Sequence, residues 1–131
     1  MIGLDTNILV RYLTQDDAVQ SERAKDLLDG KLTPAEPGFV SVVAMVETVW
    51  VLERTYDFSD REIAAAVEGM LQADALKVEN ESEVFTAMIA LKEGRGSFAD
   101  ALIVELGARA GCSGTLTFDQ NALRLPGFQL A

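Results

Sequence analysis

Apolar positions along this chain come in short runs and helical stripes, separated by turn residues. The run Met1-Ile2-Gly3-Leu4 ends at Asp5 and predicts a buried strand, and residues 6–13 predict a short helix. Ala18 to Leu28 predicts a second helix, with Gly30 as its stop. Pro34 and Pro37 punctuate a loop before a strand at Gly38-Phe39-Val40, after which Ser41 caps a long apolar helix reaching Thr55. Ser59-Asp60-Arg61-Glu62 has the spacing of a capping box, and Ile63, Val67, Met70 and Leu71 give the following helix one apolar face.

In the second half, Ala75 to Val78 predicts a strand, and Val84, Met88 and Leu91 mark a helix that ends at Gly94 and Gly96. Ser97 starts a very apolar helix that stops at Gly111. Ser113 to Phe118 is strand-like, Asp119 opens a last short helix, and Phe128-Gln129-Leu130 predicts an edge strand. Short strands separated by helices predict an α/β fold, a parallel sheet with helices on both faces. With no repeat, low-complexity tract or linker, residues 1–131 read as one domain.

Composition narrows the chemistry. The chain has no histidine, which removes Ser-His-Asp hydrolysis, Cys-His proteases and His-ligated zinc or iron. Its one cysteine, Cys112, excludes an internal disulfide, a Cys-only zinc cluster and an iron–sulfur centre; with no activating base beside it, it is expected to be buried and inert. Asp and Glu number 21 against 11 Lys and Arg, a net charge of −10. That balance argues against an anionic membrane surface and, at face value, against nucleic acid, unless some acids hold divalent cations and reverse the local field. No targeting segment opens the sequence, so a cytoplasmic protein is the default expectation.

Four carboxylates stand out by position. Glu47 has Val43, Ala44, Trp50 and Val51 one turn away on either side, which predicts a buried acid, with Trp50 in the core. An ion pair with Arg54 or Arg11 is the alternative. Asp100 lies in the apolar helix after Ser97, where a Ser97–Asp100 capping box would also account for it. Asp5 and Asp119 each follow a predicted strand, at the carboxyl edge where ligands bind in parallel sheets, or else serve as helix N-caps. Taken together and without histidine, they suggest an oxygen-lined site for Mg²⁺ or Mn²⁺, a template for attack on a phosphodiester. Gly94-Arg95-Gly96-Ser97-Phe98-Ala99 fits a dinucleotide fingerprint in letters only, since it follows a helix and not a strand.

The segments Leu4-Asp5-Thr6-Asn7-Ile8-Leu9, Glu47 in the third helix, Phe98-Ala99-Asp100-Ala101-Leu102-Ile103 and Thr115-Leu116-Thr117-Phe118-Asp119 occur in this order across the chain. In this the sequence resembles the PIN-domain family, and within it the small VapC-type toxin ribonucleases. The resemblance implies a single PIN-like domain, with a twisted parallel sheet of four or five short strands, and a Mg²⁺- or Mn²⁺-dependent endoribonuclease. Asp5, Glu47 and Asp100 would be the core metal ligands and catalytic acids, with Asp119 the fourth. Thr6, Asn7, Ser97 and Thr117 would be supporting polar residues. Many relatives carry a further acid two or three residues before the helix Asp, where this chain offers Ser97. The resemblance further implies an RNA substrate, a homodimer and a small VapB-like antitoxin, with RNA contacts expected at Arg11, Lys92 and Arg95. A housekeeping PIN nuclease and a nuclease-dead PIN binding module are the competing readings.

Overall fold

The computed structural model describes residues 1–131, and the chain divides into two compact units, Met1–Asn80 and Glu81–Ala131. In the first unit the order is β1 (Ile2–Gly3), α1 (Thr6–Thr14), α2 (Ala18–Asp26), β2 (Gly38–Val40), α3 (Val42–Thr55), α4 (Asp60–Gln72) and β3 (Leu76–Val78). The three strands form one parallel ladder in which β2 pairs with β1 on one side and β3 on the other. Parallel pairing needs a crossover between successive strands, which α1 and α2 supply before β2, and α3 and α4 before β3. Leu9, Val40, Met45, Leu52, Ile63 and Val67 are among the fully buried side chains.

Local signals account for most of the boundaries. The Ser41 side chain accepts a hydrogen bond from the Ala44 N–H at 3.1 Å, opening α3. Ser59 and Glu62 close a complete capping box at the start of α4. Gly30 does not stop α2. The helix instead widens into a π-helical turn over Leu27–Lys31, closed by the Leu32 N–H on the Leu27 carbonyl at 2.9 Å. The expected buried first strand is also corrected: Ile2 is exposed, because β1 is an edge strand of its ladder, and only Leu4 beyond it is buried.

The second unit comprises α5 (Glu81–Lys92), α6 (Phe98–Arg109), β4 (Thr115–Thr117), a 3₁₀ turn (Gln120–Arg124) and β5 (Phe128–Leu130). Helices α5 and α6 pack on one another, and β4 pairs in parallel with β5. Val84, Met88, Phe98 and Leu102 are buried to within 1% of full exclusion. Gly94 and Gly111 follow α5 and α6 with φ of 71° and 99°, the left-handed conformation that ends helices. Cys112 is exposed just after Gly111, contrary to its expected burial, because it lies in the turn leaving α6 and not on the packed face. No helix of the chain is long and apolar enough to cross a membrane.

Candidate functional site

Asp5 leaves the carboxyl end of β1 and occupies the N-cap position of α1, with extended backbone at φ −80° and ψ 156°. Its side chain makes no capping hydrogen bond, so the capping alternative fails for this residue. Thr6 is buried at the first helical position and Asn7 beside it is exposed. The ladder is parallel, so Ser41 and Glu79 leave its same edge from β2 and β3. Glu79 was not legible as a candidate from sequence. Its carboxylate accepts the Val42 N–H at 2.8 Å, satisfying a free donor at the N-terminus of α3 with a charge of favourable sign.

Glu47 contradicts its expected burial. It is exposed on α3, and so are Val43 at 76% and Trp50 at 54%, which share its face. Helical spacing identified the neighbours correctly, but α3 is apolar on more than one face, and Ala44, Met45, Thr48, Val49 and Leu52 are the positions buried. Glu47 takes part in none of the ion pairs of the chain. Arg11 is committed to Asp16, and the Arg54 guanidinium lies 5.6 Å from the centroid of the Trp50 ring. The surface around Glu47 is a shallow apolar depression formed by Val42, Val43, Val46 and Trp50.

In the second unit, Ser97 caps α6 by accepting the Asp100 N–H at 3.1 Å. The reciprocal bond of a capping box is not made, and the half-buried Asp100 carboxylate is left out of the cap. Asp is one methylene shorter than the Glu that closes the box at Ser59. Asp119 behaves in the opposite way. Its carboxylate accepts the Asn121 N–H at 2.8 Å and caps the 3₁₀ turn, while its own N–H donates to the Thr117 hydroxyl at 3.0 Å. The capping alternative is realised there.

The three basic candidates also differ. Arg11 is held by Gln20 at 2.8 Å, Asp16 at 3.1 Å and the Tyr56 hydroxyl at 3.2 Å, and Tyr56 in turn donates to Asp16 at 2.6 Å. The Tyr56 hydrogen bond, followed by that of Thr14 and the charge of Arg11, holds the Asp16 carboxyl below its ordinary range. Arg95 pairs with Glu93 at 2.9 Å, and Lys92 is exposed at the end of α5.

Neither unit gathers three acidic side chains into a metal-holding group. The donor chemistry nonetheless suits a hard cation. All the candidates are oxygen ligands, and Asp5, Glu47 and Asp100 make no cap or ion pair that would compete for their carboxylates.

The PIN domain model matches residues 2–127, nearly the whole chain. The chain belongs to the PIN-domain family. Among solved structures this PIN domain is similar to the crystal structure of the Mycobacterium tuberculosis toxin VapC20, described as cleaving the sarcin-ricin loop. The two are 24% identical, the match covers 94% of this chain and 93% of that one, and the TM-score is 0.48. No curated protein matches this chain in sequence.

Proposed function

We propose that this PIN domain, acting as a single domain over residues 1–131, is a divalent-metal-dependent endoribonuclease and the toxin of a toxin–antitoxin pair. The observation that carries the nuclease reading is the state of its acids. Within a chain matched by the PIN domain model over residues 2–127, Asp5, Glu47 and Asp100 stand at the positions the family resemblance assigns to metal ligands, and none is used by the fold as a cap or an ion pair. Carboxylates kept free of structural work are what an oxygen-ligand site requires. Asp119, occupied as a cap through one oxygen, keeps a second oxygen and serves as the outer fourth acid.

In this reading Asp5, Glu47, Asp100 and Asp119 hold Mg²⁺ or Mn²⁺, which when bound lowers the pKa of water and neutralises charge on the phosphodiester. The protein's part is positional. Asp5 is carried by the junction of β1 and α1, and Ser97 and Thr117 hydrogen-bond the backbone on which Asp100 and Asp119 stand. Thr6 and Asn7 continue α1 beside Asp5 and support the site. RNA phosphates meet Arg11, Lys92 and Arg95. The VapC-type resemblance supports the toxin role, a homodimer and a VapB-like antitoxin.

The test is cleavage of single-stranded RNA in Mn²⁺ and in EDTA, run beside expression of the chain without a partner. Wild type should cut only with metal and arrest growth, Asp5→Asn should do neither, and light scattering should give twice the chain mass. Cleavage unaffected by EDTA or by Asp5→Asn would overturn the metal assignment. Cleavage with no effect on growth would favour RNA processing over the toxin role.

A further inference from the structure

Helices α1 and α2 and the π-helical turn after them enclose a groove of about 560 Å³ within the first unit, inside the roughly 300–1,000 Å³ range of sites that take small ligands. Its polar lining is Asn7, Arg11, Gln20, Arg23, Asp26 and Lys31. In a chain of net charge −10 with only 11 basic residues, the groove lining carries three cations against one acid, and with Asp16 paired to Arg11 counted the local sign is still reversed. Arg23 and Lys31 are exposed and take part in no ion pair. Arg11 is pre-organised: its bonds to Gln20, Asp16 and Tyr56 use Nε and Nη1 and leave the two N–H groups of Nη2 uncommitted. The groove also begins on the helix whose N-terminus follows Asp5, since Asn7 lines it two residues further along.

We propose that this groove is a binding track for the phosphate backbone of single-stranded RNA, with Arg23 and Lys31 as its point charges and Arg11 as its fixed donor. The proposal rests on RNA being the substrate of the nuclease reading, and it adds the path the strand takes. Cations drawn from α1, α2 and the turn after them along one groove suit a linear polyanion. The side-chain amides of Asn7 and Gln20 can bond to sugar or phosphate oxygens without selecting a base.

The experiment measures binding of a short fluorescein-labelled oligouridylate in EDTA across a KCl series, so that nothing is cut. Each phosphate neutralised on a single strand contributes a slope of about −0.7 to log K against log salt. The Arg23→Gln/Lys31→Gln double variant should reduce the magnitude of the slope by about 1.4. An Arg61→Gln/Lys77→Gln variant, with the same change in net charge at exposed positions outside the groove, should leave it unchanged. Swapping the two cations, Arg23→Lys/Lys31→Arg, should keep the slope, which separates lost charge from a damaged fold. The proposal is overturned if wild type fails to bind, if the groove and control variants lose slope equally, or if neither does. It is also overturned if polyglutamate displaces the RNA as well as unlabelled oligouridylate does, since the groove would then fit an acidic protein chain. The same proteins assayed in Mn²⁺ keep the two readings apart. Slope loss without any cleavage by wild type sinks the nuclease and leaves the track. Cleavage with an unchanged slope sinks the track and leaves the nuclease.

Discussion

Replacing Asp100 by Asn should silence the protein without weakening it, and the start of α6 allows the size of each effect to be worked out. Ser97 accepts the Asp100 N–H at 3.1 Å, whereas the Asp100 carboxylate returns no bond to the cap. Ser97→Ala therefore strands a first-turn donor and should cost about 1 kcal/mol. With an unfolding entropy near 2.1 cal/mol/K per residue, that is a fall in Tm of about 4 °C for this chain length. Asp100→Asn keeps the donated N–H. It gives up only the attraction of a carboxylate to the helix N-terminus, which salt screens, so at high ionic strength it should shift stability by less than about 0.5 kcal/mol. Metal inverts the ranking. At 100 times its dissociation constant, Mn²⁺ should stabilise wild type by about 2.7 kcal/mol, a rise of about 10 °C. Ser97→Ala should retain most of that rise and Asp100→Asn should lose it. The assay is a melting series on the three proteins in EDTA and in Mn²⁺. If Asp100→Asn melts as low as Ser97→Ala in EDTA and wild type gains nothing from Mn²⁺, the Asp100 carboxylate holds the helix end and the metal assignment fails.

Three further outcomes are expected. A Cβ at Gly38, on the central strand β2, would lie 2.7 Å from Leu4 Cδ1 and 2.8 Å from Leu32 Cδ1, so Gly38→Ala should cost about 1–3 kcal/mol in urea unfolding, and an unchanged midpoint would refute the packing. At Asp119 the cap and the charge can be separated: Asp119→Asn keeps the cap and should hold wild-type stability, whereas Asp119→Ala should lose about 1 kcal/mol, and equal melting of the two would show that the cap contributes nothing. Asp16, held below its ordinary 3.8 chiefly by the Tyr56 hydroxyl, contributes stability that is present above 3.8 and lost as pH falls through its lower folded value. Tyr12 donates to Asp29 at 2.7 Å, and this bond raises it above 10.0, so its contribution is present below 10.0 and lost as pH rises through the folded value. Melting against pH should accordingly lose its steepness on the acid side in Asp16→Asn and on the alkaline side in Tyr12→Phe.

Features encoded within one helical turn were legible in the sequence. Ser41, Ser59 and Ser97 open helices as expected, and Gly94 and Gly111 end them, because caps and left-handed stops are made among residues a few positions apart. Gly30 is the exception, and the reason is packing: Leu28 and Leu32 are both buried, and the π-helical turn between them carries the chain past the glycine. The alternation of helices with short strands likewise foretold parallel ladders, since parallel strands need crossovers.

The sequence by itself determined which acids are candidates, through their place after strands and within apolar helices, and it determined the family through four motifs in order. Only the tertiary structure decided what each acid does in the fold. Asp5 and Asp119 as N-caps and Asp100 as the partner of Ser97 all carry capping signals, yet of the three carboxylates only that of Asp119 makes the bond, because capping depends on backbone angles and side-chain reach that residue type does not encode. Periodicity likewise placed Val43 and Trp50 on the Glu47 face but could not say whether anything covers it. Which face of an apolar helix is buried is set by residues distant in sequence that pack against it, and on α3 those residues bury Met45 and Leu52 and leave Glu47 in the open.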